Sequence, residues 1–188
     1  MEIAALLLCG GAARRFGSDK LLAGSVPLAV RAARNLQTGA GRVLAVIPPA
    51  RDALRESLVA AGCVILETDR TARGIGASLA AGVEATAKSE GWIVALGDMP
   101  LVAPETIAAV RAALVAGARI AAPYDGDARR GHPVGFSAAL RDELIALDGD
   151  TGARSVLERH QSFIVKVRSD DPGIFVDVDT PDDLRRLQ

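Results

Sequence analysis

Short, nearly continuous apolar runs at Ile3–Cys9, Val43–Ile47, Val64–Leu66 and Ile93–Leu96 alternate with longer Ala-rich segments of helical period. A run with no polar alternation is how a strand reads when both its faces are buried, as in a parallel sheet covered by helices. The intervening segments Leu28–Leu36, Arg51–Ala61 and Ala77–Thr86 carry their charges on one side, as expected of helices lying on that sheet. Parallel neighbours need crossover connections, so this order predicts a doubly wound, mostly parallel α/β sheet of Rossmann-like type.

Pro104-Glu105, followed by Ile107, Val110 and Leu114, predicts a further helix with proline in its first turn. Near the end, Thr180-Pro181-Asp182-Asp183 reads as a short helix with Thr180 as its cap and two carboxylates at the positive end of its dipole. The second half is less regular. Pro133–Phe136, Ser162–Val167 and Ile174–Val178 read as strands, with two short helical stretches between the first two and room for an antiparallel hairpin or edge strand. Asp125–Gly131 is the most polar loop. No repeat or Gly/Ser linker divides the chain, so residues 1–188 are expected to form one domain.

Hydrophobic residues make up 49% of the chain but aromatics only 3%, so the core is expected to be aliphatic, at helix–sheet interfaces. Lys and Arg number 22 against 23 Asp and Glu, a balance that sets up no overall field toward nucleic acid or an anionic membrane. Any anion site must therefore be local. Cys9 and Cys63 lie in apolar runs, without a CxxC pair or a nearby His at metal-ligand spacing, and read as buried thiols rather than zinc ligands. The apolar start carries no basic segment and is too short for a signal peptide, and no run approaches the roughly 20 residues of a membrane span. A soluble, reducing, cytoplasmic setting is the expectation.

The chemistry begins where the first strand ends, in Leu8-Cys9-Gly10-Gly11-Ala12-Ala13-Arg14-Arg15-Phe16-Gly17-Ser18-Asp19-Lys20. Paired glycines there permit a sharp turn with open backbone amides, and the cations that follow complete a polyphosphate cradle. The spacing is neither a dinucleotide fingerprint nor a P-loop, since Lys20 does not follow a glycine. A solvated basic turn is the alternative. Next, Gly97-Asp98-Met99-Pro100 sets a carboxylate at the carboxyl end of a buried strand, placed to hold a cation or to cap the following helix. Finally, alternation in Asp177-Val178-Asp179 puts Asp177 and Asp179 on one face.

The first of these segments resembles the L-A-G-G-x3-R-M-G-x2-K signature of the molybdopterin nucleotidyltransferases, with Cys9 for Ala and Phe16 for Met. Ala13 stands where a serine is common, which removes one hydroxyl from the cradle. The resemblance implies a nucleotidyltransferase in which Leu8, Gly10, Gly11, Arg15 and Lys20 bind the nucleoside triphosphate. Gly97–Pro100 resembles the family's metal motif, implying Mg²⁺ on Asp98, with Asp179 as second ligand and Asp177 as the weaker candidate. Arg73-Gly74-Ile75-Gly76-Ala77-Ser78-Leu79 is similar to the base-proximal segment of the molybdenum cofactor cytidylyltransferase branch, which implies CTP, with Gly74 and Ser78 near the base.

Gly131-His132-Pro133-Val134-Gly135-Phe136 and Gly149-Asp150-Thr151-Gly152-Ala153-Arg154 resemble segments on the side that receives a phosphorylated pterin. For His132, contact with that acceptor and ordering of the turn before Pro133 are both open. Arg154 is open between the acceptor phosphate and a local pair with Asp150, the latter slightly favoured. The reaction implied is attack of the acceptor's terminal phosphate on the α-phosphorus of CTP. Arg15, Lys20 and Asp98 are its catalytic groups, and a molybdenum hydroxylase apo-enzyme is a possible recipient of the product. Other phosphorylated acceptors, an oxidoreductase and a non-catalytic cofactor chaperone are the competing readings.

Overall fold

A computed structural model describes residues 1–10, 19–126 and 129–186. The elements follow in the order β1 (Ile3–Leu8), α1 (Leu28–Ala40), β2 (Val43–Ile47), α2 (Asp52–Ala60), β3 (Val64–Glu67), α3 (Ile75–Ala85), β4 (Gly91–Leu96) and α4 (Pro104–Val115). The second half continues with β5 (Ile120–Asp125), β6 (Arg129–Arg130), β7 (Val134–Ser137), α5 (Arg141–Ile145), α6 (Arg154–Arg159), β8 (Ile164–Arg168) and α7 (Pro181–Arg186).

The strands form one sheet in the order β3-β2-β1-β4-β7-β5-β6, with β8 also paired to β5. Neighbours from β3 to β4 are parallel, β7 runs antiparallel to both β4 and β5, and β8 is parallel to β5. This is the expected doubly wound α/β fold with an antiparallel strand set into its second half. Alternation along β1 sends Ala5 and Leu7 into a core with α1, α2 and α4, while Leu6 and Leu8 enter a second core with α3, α5 and α6. Both faces of β1 are thus covered, which is why its sequence shows no polar alternation. Trp92 is buried in the second core, and its indole N–H donates to Thr86 Oγ1 at 2.9 Å. Both cysteines are buried and free. No helix among the described residues is long and apolar enough to cross a membrane.

Two expectations about the second half need correction. β5 had no counterpart among the expected strands, because its Ala-rich run contains Pro123, a residue foreign to most central strands. The missing amide is tolerated here: the Pro123 carbonyl accepts from Gly131 N–H at 2.8 Å, and β8 lies along the other side. Ile174–Val178, expected as a strand, is a short 3₁₀ turn over Pro172–Phe175 followed by extended chain outside any ladder. Its backbone is held by separate bonds, His132 N–H to the Ile174 carbonyl and Val178 N–H to the Asp98 carbonyl, both 3.0 Å.

Asp171 anchors this segment. One carboxylate oxygen accepts from Ala103 N–H at 2.8 Å and Thr106 Oγ1 at 3.1 Å at the start of α4, and the other accepts from Gly173 N–H at 2.8 Å. Asp171→Ala leaves those donors without their acceptor and is expected to lower stability by about 1–3 kcal/mol in urea unfolding. An unchanged midpoint and slope would show that the anchor contributes nothing.

Candidate active site

The site forms at the carboxyl ends of the adjacent parallel strands β1 and β4, where an open α/β sheet places its ligands. β1 delivers the chain to Cys9 and Gly10. β4 stays in register with it through Leu8 and Leu96, after which Gly97 N–H donates to the Leu8 carbonyl at 3.0 Å and Asp98 follows just beyond. The C-terminal segment docks on the same point through the Val178–Asp98 backbone bond. That contact sends buried Val178 inward and brings Asp179 alongside Asp98.

Lys20, at the head of a 3₁₀ turn over Lys20–Leu22, closes this corner. Its Nζ donates to Asp98 Oδ2 at 2.8 Å and to Asp179 Oδ1 at 2.7 Å. Burial opposes the ammonium charge, but the bonds to Asp179 and Asp98 outweigh it and hold Lys20 above the usual lysine range. Asp177 stands beside this centre. Its carboxyl is pushed up by partial desolvation and by the charges of Asp179 and Asp98, against the pull of Lys20. Behind Asp179, Thr180 and Asp183 form a reciprocal cap: Asp183 Oδ2 accepts from Thr180 N–H at 2.9 Å while Thr180 Oγ1 accepts from Asp183 N–H at 3.2 Å. The helix α7 therefore fixes the direction from which Asp179 approaches.

Two cavities meet here and share Leu96, Arg130 and His132 as walls. One, about 170 Å³, is largely apolar, with Leu8, Ile75, Leu79 and Phe136 opposite the polar groups of His132, Thr151 and Arg154. The other, about 320 Å³, is polar and lined by Asp98, Asp177, Arg129 and Arg130. Arg129 also lies over the Phe175 ring, 4.0 Å from its centroid.

His132 holds the wall between them. Its Nδ1 is buried without a hydrogen-bond partner among the described residues, and its peptide bond to Pro133 is cis. Burial and the nearby Arg130 push its imidazole below the ordinary histidine value, against the pull of Asp98. The ring is therefore neutral at pH 7 and offers a hydrogen bond without adding charge. Since the unfolded chain takes up this proton near pH 6.5 and the folded chain takes it up lower, stability is expected to fall as pH drops below about 6.5. The melting temperature should decline more steeply from about pH 7.5 to 5 in the native chain than in His132→Asn. Parallel declines would contradict this.

Of the residues singled out in the sequence, Lys20, Asp98 and Asp179 converge directly, and Leu8, His132 and Arg154 line the apolar cavity. Gly11 and Arg15 lie outside the described residues. Gly10 packs so closely on α3 that a Cβ there would stand 2.9 Å from Ser78 Oγ. Ser78 is buried, donating to the Gly74 carbonyl at 2.9 Å, and its neighbours Ile75 and Leu79 form the cavity wall. Gly74, at φ +119°, sits where a side chain would run into the Gly149–Asp150 loop. Gly74 and Ser78 thus shape the wall from behind.

Among the described residues, Arg154 makes no pair with Asp150, contrary to the expected local bond. The loop's ionic contact is made by Asp148 with Arg73 at 2.5 Å, which leaves the Arg154 side chain on the cavity wall. Arg129 and Arg130 were missed as site residues. The available signal was two adjacent arginines running into Gly131-His132.

Among the described residues, no group of three or more His, Cys, Asp and Glu is arranged to hold a metal ion. Asp98 and Asp179 nevertheless offer carboxylate oxygens at one shared point, that of Lys20 Nζ. Two carboxylates, with substrate phosphates and water to complete the shell, is the donor set that Mg²⁺ takes in nucleotide sites. The residues fit such an ion.

Residues 5–163 match the family described as the MobA-like NTP transferase domain. No curated protein matches the sequence. Among solved structures, Rv0371c from Mycobacterium tuberculosis H37Rv is 28% identical, with a TM-score of 0.83 over 100% of this chain and 97% of that one. A complex of Rv0371c with manganese is 26% identical, with a TM-score of 0.78 over 100% and 98%. Mth528, a nucleotidyl transferase from Methanothermobacter, superposes with a TM-score of 0.82 over 99% of this chain and 95% of that one. Its 21% identity makes this a likeness of fold. Matched over most of its length and carrying Asp98 just beyond the end of a central strand with Lys20 bonded to it, the chain belongs to the MobA-like NTP transferase domain family and is a nucleotidyltransferase.

Proposed function

We propose that the chain transfers CMP from CTP to the terminal phosphate of molybdopterin, releasing pyrophosphate, with Mg²⁺ held by Asp98 and Asp179. The observation that carries this reading is the convergence of Lys20, Asp98 and Asp179 at the edge of the polar cavity that Asp98 lines, which shares the Leu96, Arg130 and His132 walls with the apolar one. A polyphosphate and its cation suit the polar side. The flat base of the donor suits the Ile75 and Leu79 wall of the apolar cavity, and a planar acceptor suits Phe136 and His132, with Arg154 in reach of its phosphate.

The acceptor phosphate is already anionic near neutral pH, so its attack on the α-phosphorus needs no general base. The chain's work is alignment and charge stabilisation. Lys20 and Arg15 neutralise the triphosphate, and Arg130 stands between the two cavities to draw donor and acceptor phosphates together. His132, neutral, fixes the acceptor by a hydrogen bond. Held by Asp98 and Asp179, Mg²⁺ would supply charge neutralisation at the phosphate oxygens. The segment from Gly74 to Leu79 supports CTP as donor through its resemblance to the cytidylyltransferase branch.

Thermal shift in the presence of Mg²⁺ tests the donor, since a ligand that binds the folded state raises its melting temperature. CTP should stabilise more than GTP, ATP or UTP. A larger shift with GTP would contradict the reading, and a shift with NADH or a flavin in place of any nucleoside triphosphate would favour an oxidoreductase.

A further inference from the structure

We infer that Lys20 is a resident cation of the Asp98–Asp179 pair that a divalent ion must displace, so that metal and nucleotide bind cooperatively. The inference rests on the assignment of those two carboxylates to the metal. One ammonium group bonds both carboxylates at 2.8 and 2.7 Å, and the Lys20 side chain is only 13% exposed. It therefore occupies the point at which the two oxygens can share a cation. A divalent ion bound to the same oxygens would lie against that ammonium at ion-pair distance, where like charges repel strongly. The two cations exclude each other.

Lys20 can leave by its side chain alone. Its backbone is held on both sides: Asp19 is ion-paired with Arg51, Leu21 is buried, and Ala23 N–H donates to the Lys20 carbonyl at 3.1 Å. The lysine stem has four rotatable bonds, and its ammonium is a compact charge that transfers readily between anions. Without nucleotide, displacement would leave the ammonium part-buried with its carboxylates lost. A triphosphate in the adjoining polar cavity provides the replacement anion. Metal arrival and phosphate arrival then favour each other by the same factor, as linkage requires. In the absence of nucleotide the lysine keeps the carboxylates together and keeps stray cations out.

Mn²⁺ binding followed by electron paramagnetic resonance, with and without α,β-methylene-CTP, tests this without turnover. The native chain should bind Mn²⁺ at least about 10-fold more tightly when the analogue is present. Lys20→Met should bind Mn²⁺ about 10-fold more tightly than the native chain in the absence of nucleotide, and its coupling should shrink to about twofold. Lys20→Arg keeps a resident charge and should keep weak metal binding. Lys20→Gln serves as the neutral variant if Lys20→Met melts early. Unchanged or weaker Mn²⁺ binding by the neutral variants, in a native chain that shows coupling, overturns the inference and leaves the metal assignment standing. Absence of Mn²⁺ binding in every variant, with the analogue present, overturns both.

Discussion

Asp98→Asn should lower nucleotidyl transfer by at least about 10²-fold while the fold persists. The amide keeps the size of the carboxylate, and the backbone bond from Val178 N–H to the Asp98 carbonyl is untouched. What disappears is the negative charge at the point where β4 hands the chain to the site. Lys20 retains Asp179, so the loss of one part-buried ion pair should cost about 1–2 kcal/mol and lower the melting temperature by a few degrees. Turnover measured as pyrophosphate release separates the two effects, provided the variant stays folded at the assay temperature. Native-like turnover would remove Asp98 from the reaction.

The two carboxylates of the C-terminal segment should respond unequally. Asp179 shares Lys20 with Asp98, whereas Asp177 lines the polar cavity. Asp179→Asn is expected to cost about 10²-fold in turnover, and Asp177→Asn less than about 10-fold. The second variant also removes a carboxyl that partial burial and the charges of Asp179 and Asp98 already disfavour as an anion. Equal losses would mean that both carboxylates serve the reacting phosphates, and a reversed order would move the second ligand to Asp177.

Much of this arrangement was legible in the sequence. The apolar runs identified β1 to β4 because a strand covered on both sides has no polar face to show. Motifs at the ends of β1 and β4 then singled out Lys20 and Asp98, which lie 78 residues apart in the chain and meet through the parallel pairing of those strands. Asp179 is 159 residues from Lys20, and alternation placed it on one face with Asp177, opposite Val178. That assignment survives although the expected strand does not exist. Val178 is buried by docking on Asp98, a tertiary contact that mimics the alternation of a ladder.

The rest was hidden for physical reasons. Pro123 concealed β5, since a proline argues against a central strand unless the neighbouring chain makes no demand on its missing amide. Arg129 and Arg130 fell in what read as a polar loop, and their place at the cavities depends on β5, the strand that went unseen. Arg154 was weighed against a neighbour, Asp150, because local charges are the ones a sequence displays. The fold pairs that loop with Arg73 across the chain instead, through Asp148.

The most direct test of the central claim is a single incubation with CTP, Mg²⁺ and molybdopterin, read for pyrophosphate and, by mass spectrometry, for the acceptor. The expected result is one pyrophosphate per CMP joined to the molybdopterin phosphate, dependent on both the acceptor and Asp98, and little product with GTP. Pyrophosphate release from no nucleoside triphosphate, or an acceptor recovered without its CMP, would contradict it.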